Sequence, residues 1–152
     1  MAPIQPGERA PDFTLPDQTG ESVTLSELLK DSAVVLFFYP QDDTPGCTRE
    51  ACSFRDAFED FVEAGATVVG ISSDSTGSHR RFADKYNLPF TLVSDATGSV
   101  RAAYRVPKNL FILPGRTTFV IDRTGTVRMS FTHARNARRH VREALTVVRR
   151  GL

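Results

Sequence analysis

Residues 33–52 read Ala33-Val34-Val35-Leu36-Phe37-Phe38-Tyr39-Pro40-Gln41-Asp42-Asp43-Thr44-Pro45-Gly46-Cys47-Thr48-Arg49-Glu50-Ala51-Cys52. The first seven residues form an unbroken apolar run of β-branched and aromatic types, which is the composition of a central strand covered on both faces. Pro40 ends the run, since a proline nitrogen has no proton to give to a ladder. Thr44 suits a helix N-cap, and Pro45 then falls at the first helical position, where a missing N–H costs nothing. Cys47 is thereby placed at the third position of the first turn. A thiol there faces unpaired backbone N–H groups and the positive helix end, and both favour the thiolate. The junction between a buried strand and a helix start is also where open α/β sheets place their chemistry.

Three further strands have the same apolar character: Thr67 to Ser72, Phe90 to Val93 and Thr117 to Asp122. Asp122-Arg123-Thr124-Gly125 is a turn into Val127 to Phe131, so the last two strands are expected to form an antiparallel hairpin. Helical patterns cover about 45–64, 76–85, 97–103 and 135–149. Near the start, Phe13-Thr14-Leu15 and Ser22-Val23-Thr24-Leu25 flank the turn-like Pro16 to Gly20 and read as a short hairpin, after which Ser26 can cap a helical segment from Glu27 to Lys30. Alternating strands and helices that finish in a hairpin predict an α/β fold, a three-layer sandwich on a mixed sheet with an N-terminal β-hairpin extension. Pro107 to Gly115 is the main irregular stretch, with Phe111, Ile112 and Leu113 expected to pack inward.

The length of 152 residues suits one domain spanning 1–152, large enough to bury a core without metal or disulfide staples. No apolar run approaches the roughly 20 residues of a membrane span. The first residues lack an apolar signal segment, and two cysteines are too few for a stapled secreted scaffold, so a cytoplasmic setting is the expectation. Net charge is +1, yet seven arginines and a single acid, Glu143, fall within residues 126–152. These arginines interleave with Val141, Leu145 and Val148 at helical spacing, which describes the solvated face of an amphipathic closing helix rather than a nucleic-acid surface. His79, His133 and His140 are scattered and suggest no metal site; the last two read as surface or helix-packing residues.

Ala51, Phe54, Phe58, Phe61 and Val62 form one apolar stripe along the helix that Thr44 opens. Cys52 lies off the stripe with Arg55, Glu59 and Glu63, an unusual place for a residue type that prefers burial. Five residues of ideal helix separate the two cysteine Cα atoms by about 8.7 Å, beyond the usual disulfide span of about 4.4–6.8 Å. A bond between Cys47 and Cys52 therefore requires the first turns to unwind. Arg116, just before the strand that starts at Thr117, is a candidate cation for the thiolate, because a guanidinium can donate to sulfur and to a bound oxygen at once.

The run Pro40-Gln41-Asp42-Asp43-Thr44-Pro45-Gly46-Cys47, followed by Thr48-Arg49-Glu50, resembles the active-site pattern of the peroxiredoxins, in the bacterioferritin comigratory protein or peroxiredoxin Q branch. Phe37 to Pro40, Ile71 to Asp74, Phe82 to Phe90 and Arg116 to Asp122 resemble that branch in order, so the resemblance covers nearly the whole chain. It implies a thioredoxin-like fold and a thiol peroxidase without cofactor or metal. Carried onto matching positions, it makes Cys47 the peroxidatic cysteine, Thr44 a hydrogen-bond donor to the peroxide, Arg116 the group holding thiolate and peroxide oxygen together, and Pro40 a shield. Glu50 would order the first turn and hydrogen-bond toward the arginine, and Cys52 would resolve the sulfenic acid as an intramolecular disulfide. The implied partners are a hydroperoxide and thioredoxin or a similar dithiol, with a monomer sufficient for the chemistry. Gln41 stands where the branch commonly has lysine, and Tyr104-Arg105-Val106 lacks a glycine often found at its centre.

Two other readings come from the residues. A thioredoxin-type dithiol oxidoreductase would want two residues between its cysteines, so that both sulfurs meet without unwinding; this chain has four. A redox-sensing domain docking through the arginine-rich helix is the non-enzymatic alternative.

Overall fold

A computed structural model describes residues 2–107, 116–133 and 136–152. In chain order the elements are β1 (Thr14–Pro16), β2 (Ser22–Thr24), α1 (Leu25–Leu28), β3 (Ala33–Phe38), α2 (Pro45–Asp56), α3 (Phe58–Glu63), β4 (Ala66–Ser72), α4 (Thr76–Tyr86), β5 (Thr91–Ser94), α5 (Ser99–Ala103), β6 (Thr117–Ile121), β7 (Val127–Thr132) and α6 (Ala137–Arg149). The five-stranded sheet runs β5-β4-β3-β6-β7, with β3, β4 and β5 parallel and β6 and β7 antiparallel, beside the separate β1-β2 hairpin. β3 lies at its centre and is buried on both faces, as its composition requires.

Strand alternation divides the core in two. Ala33, Val35 and Phe37 face one side with Ala51 and Phe54 of α2, Phe61 of α3, Phe82 of α4, and Val141, Ala144 and Val148 of α6. Val34, Leu36 and Phe38 face the other, with Ile4, Phe13, Leu25, Val100 and Tyr104. The three-layer α/β sandwich with a mixed sheet and N-terminal hairpin is as expected. The stack of Phe37 on Phe54, with ring centroids 4.5 Å apart, ties α2 to the central strand and so fixes where Cys47 sits.

Local differences have physical causes. The expected long helix over 45–64 breaks at Ala57 into α2 and α3, and the changed phase turns Val62 out of the stripe to 54% exposure. Ser26 does not cap α1. The helix starts two residues earlier, at Leu25, and the Asp12 carboxylate accepts the Ser26 and Phe13 backbone N–H groups at 2.9 Å each. Arg105 adopts φ +57, the left-handed conformation that glycine enters without strain, and pairs with Glu8 at 2.8 Å. On α6, Asn136 caps the start while Val141, Ala144 and Val148 are buried, which agrees with an amphipathic closing helix. The expectation of inward packing at Phe111 to Leu113 lies outside the described residues. No helix among those described is long and apolar enough to cross a membrane.

Candidate active site

Thr44 is the N-cap of α2 in extended conformation, Pro45 occupies the first helical position, and Cys47 is in the first turn, 1% exposed. The Thr44 side chain does not cap the helix; its hydroxyl donates to the Gln41 carbonyl at 3.1 Å and can turn its single proton to the Cys47 sulfur instead, which favours the thiolate. Arg116, just before β6, reaches across and donates from Nη2 to Cys47 Sγ at 3.3 Å. This approach passes over Gly46. A Cβ built there would lie 2.7 Å from Arg116 Nη1 and 2.8 Å from Cζ, so the glycine is what leaves room for the guanidinium.

Burial is the largest influence on Cys47 and pushes its thiol up from the ordinary value. The Thr44 hydroxyl, the Gln41 backbone hydrogen bond and the Arg116 charge pull it back down, whereas a charged Glu50 would push it further up. The helix-start argument alone anticipates a thiolate. In the folded site desolvation outweighs it, and the arginine and hydroxyl offset part of that cost.

Glu50, one turn further along α2, is fully buried, and neither carboxylate oxygen has a hydrogen-bond partner among the described residues. The expected hydrogen bond toward Arg116 is therefore absent. The guanidinium is drawn over Gly46 to the sulfur and acts on Glu50 only through its charge. Burial raises Glu50 to about 8, so that near neutrality it is mostly a neutral acid and its penalty on the Cys47 thiolate largely disappears. His140 of α6 stands beside it, Nδ1 to Oε2 3.6 Å. Its Nε2 lies 2.8 Å from the His133 carbonyl and so carries the proton, which leaves Nδ1 to accept from the Thr118 hydroxyl at 2.8 Å. Burial lowers His140 to about 4 and keeps it neutral. The helix-packing expectation for His140 holds, but its place beside Glu50 was not legible: residues 50 and 140 meet only because α2 packs on α6.

The loop from Pro40 to Thr44 is fastened from a side that its own sequence does not reveal. Asp42 is 8% exposed. Its carboxylate takes the Tyr39 hydroxyl at 2.6 Å, the Ser78 hydroxyl at 2.8 Å and His79 Nδ1 at 2.7 Å, and its backbone N–H donates to Asp74 at 2.7 Å. His79 Nε2 faces the Val93 carbonyl at 3.0 Å. Asp42, Asp74 and His79 bring their ligand-type atoms within 4.8 Å of one another, a convergence that the scatter of histidines along the chain did not suggest. Hydrogen bonds inside the group already engage all three, so the cluster reads as a brace. Asp43 takes φ +57 and holds Lys85 and Tyr86 at 2.8 Å each.

Cys52 is half-buried on α2 and, like Cys47, a free thiol. α2 is continuous through both, so a bond between them requires its first turns to open. The structure thus brings Cys47, Thr44, Arg116 and, by charge, Glu50 to one point at the start of α2, and leaves Cys52 further along the same helix.

The AhpC/TSA family model matches residues 6–130. "Peroxiredoxin Q, chloroplastic" of Sedum lineare is 48% identical over 149 residues, covering 97% of this chain and 80% of that protein. Among solved structures, peroxidoxin BcpB of Mycobacterium tuberculosis superposes with a TM-score of 0.91 at 41% identity, covering 98% of this chain and 99% of the other. The bacterioferritin comigratory protein of Xanthomonas campestris, described by its alkyl peroxide reduction activity, superposes at 0.80 with 30% identity over 91% of this chain and 90% of its own.

Proposed function

This chain belongs to the AhpC/TSA family, in its peroxiredoxin Q branch with a thioredoxin-like fold, and is a thiol peroxidase; from that premise we propose a complete cycle carried by Cys47 and Cys52. The observation that carries it is the 3.3 Å contact from Arg116 Nη2 to a buried first-turn cysteine. The Cys47 thiolate attacks the terminal peroxide oxygen. An S–O bond forms, the O–O bond breaks, and the leaving hydroxide or alkoxide takes up a proton to become water or alcohol. Arg116 has N–H groups left for the peroxide oxygen while one holds the sulfur, so nucleophile and electrophile are aligned by a single planar group. Thr44 supplies a hydroxyl at the same sulfur, and Pro40 shields the site from solvent.

The sulfenic acid is then resolved within the chain. Opening of the first α2 turns lets the Cys52 thiolate attack the Cys47 sulfur; an S–S bond forms and the sulfenic oxygen leaves as water once protonated. Thioredoxin or a similar dithiol takes over the disulfide and restores both thiols. An internal bond needs no second subunit, so a monomer is the proposed working unit.

Intact-mass measurement after one equivalent of peroxide tests the cycle, the expected product being a single chain lighter by two hydrogens. A doubled mass would show an intermolecular bond and overturn the resolving assignment. Cys47→Ser is expected to abolish peroxide consumption. Cys52→Ser is expected to oxidise once and then fail to recycle with thioredoxin; full recycling would refute the role of Cys52.

A further inference from the structure

Two of the three groups that favour the Cys47 thiolate, the Gln41 backbone and the Thr44 hydroxyl, belong to one short segment; the third is Arg116. The segment lies between β3 and α2, outside either element. Asp43 within it takes φ +57, a conformation that a residue other than glycine keeps only where its neighbours impose it. Here the neighbours belong largely to α4. Lys85 and Tyr86, at the end of that helix, hold the Asp43 carboxylate from the exposed side. Ser78 and His79, near its start, hold the Asp42 carboxylate from the buried side.

His79 is fully buried and is engaged from two directions, with Nε2 3.0 Å from the Val93 carbonyl and Nδ1 2.7 Å from Asp42 Oδ2. A carbonyl can only accept, so Nε2 carries a proton; Nδ1 and the carboxylate oxygen share a second one. β5 thus fixes the ring, and the ring fixes Asp42. The remaining Asp42 oxygen takes the Tyr39 hydroxyl at 2.6 Å, and the Asp42 N–H donates to Asp74 at 2.7 Å. That N–H lies in the same planar peptide as the Gln41 carbonyl, on which the Thr44 hydroxyl rests at 3.1 Å. A held Asp42 therefore limits where the Gln41 backbone and the Thr44 hydroxyl can point.

We propose that His79 is a positioning residue for the peroxidatic thiol: acting through Asp42, it keeps the Gln41 backbone and the Thr44 hydroxyl directed at the Cys47 sulfur. The inference rests on the peroxidase reading and adds to it a residue of α4 that sets the reactivity of the thiol. A brace that only stabilised the fold would leave the acidity of Cys47 unchanged. The arrangement described here ties that acidity to one ring nitrogen, Nδ1, and not to the other.

The test replaces the ring by amides that keep one of its nitrogens each. The nitrogen of an asparagine side chain occupies the place of Nδ1 and that of a glutamine the place of Nε2, so His79→Asn retains the bond to Asp42 and His79→Gln retains the bond to Val93. All proteins carry Cys52→Ser, which leaves Cys47 as the single thiol; its titration is followed by thiolate absorbance and its oxidation by stopped-flow with hydrogen peroxide. His79→Gln is expected to titrate about one pH unit higher and to form sulfenic acid roughly tenfold more slowly near neutrality, as for the loss of one hydrogen bond to a charged sulfur. His79→Asn is expected to keep most of the acidity and rate of the parent protein. Asp42→Ala removes the same pair from its other side, is expected to match His79→Gln, and decides the question if that variant does not fold. A thiol titration in folded His79→Gln or Asp42→Ala equal to that of the parent overturns the proposal, as does an equal shift in His79→Asn and His79→Gln. Failure of the parent protein to react with hydrogen peroxide would instead refute the peroxidase reading, and the titration, which needs no peroxide, would still decide the role of His79.

Discussion

Gly46→Ala adds one carbon atom at the point where the structure has least room for it. The new Cβ would lie 2.7 Å from Arg116 Nη1 and 2.8 Å from Cζ, and nearer still to Nη2. Ordinary contacts of this kind sit near 3.5–4.0 Å, so the guanidinium must retreat by about 1 Å. Its hydrogen bond to Cys47 Sγ is 3.3 Å long and is lost on a retreat of that size. Losing a charge-assisted hydrogen bond costs about 1.5–3 kcal/mol, which corresponds to a roughly 10- to 100-fold lower rate of sulfenic acid formation. The thiol pKa should rise in step, by about one unit or more. Stopped-flow kinetics with hydrogen peroxide gives the rate, and the ultraviolet absorbance of the thiolate, followed against pH, gives the titration. Because the loss is routed through Arg116, it should vanish in an Arg116→Ala background, where the guanidinium is already gone. Equal losses in both backgrounds would refute the steric argument, as would a Gly46→Ala protein with the wild-type rate and titration.

Other expectations test different parts of the structure. Glu50 is raised to about 8 by burial and His140 lowered to about 4, so the two act on stability in opposite directions. The folded state binds the extra proton of Glu50 between the ordinary carboxylate value and about 8, which makes stability fall as pH rises through that window; His140 makes it rise between about 4 and 6.5. Above about 6.5 only Glu50 remains, and denaturant unfolding should show a loss of about 2 kcal/mol up to pH 8 that is absent in Glu50→Gln; parallel curves for the two proteins would contradict the buried neutral acid. His79→Leu removes the ring that Asp42 faces at 2.7 Å and leaves that carboxylate buried with hydroxyl partners only, a cost of about 3–5 kcal/mol measurable by the same method. Val62→Ser, at a position 54% exposed, should change stability by less than about 0.5 kcal/mol, and a loss above 2 would restore Val62 to the apolar stripe.

Much of the architecture is legible in the sequence because it follows from local patterns. Seven apolar residues ending at a proline specify a buried central strand, and Thr44 followed by Pro45 specifies a helix start, since both rest on backbone chemistry within a few residues. The same patterns place Cys47 in the first turn and Cys52 off the core-facing stripe. The break at Ala57 was not legible: an apolar stripe at helical spacing fits one continuous helix equally well, and the change of phase shows only in which side chains find the core.

Tertiary structure alone decided what surrounds the thiol. Arg116 is 69 positions from Cys47 and meets it because β6 pairs with β3, the strand that delivers the cysteine. Glu50 faces His140 only through the packing of α2 on α6, and the loop before the cysteine is braced by His79, 37 residues beyond Asp42. These contacts join residues distant in sequence, and no spacing along the chain encodes a meeting across three layers. Local patterns along the chain suffice to put a cysteine at a helix start behind a buried strand. How far that thiol is desolvated, and which cation and hydroxyl offset the cost, depended on long-range packing, because a buried group takes its electrostatics from whatever the fold sets against it.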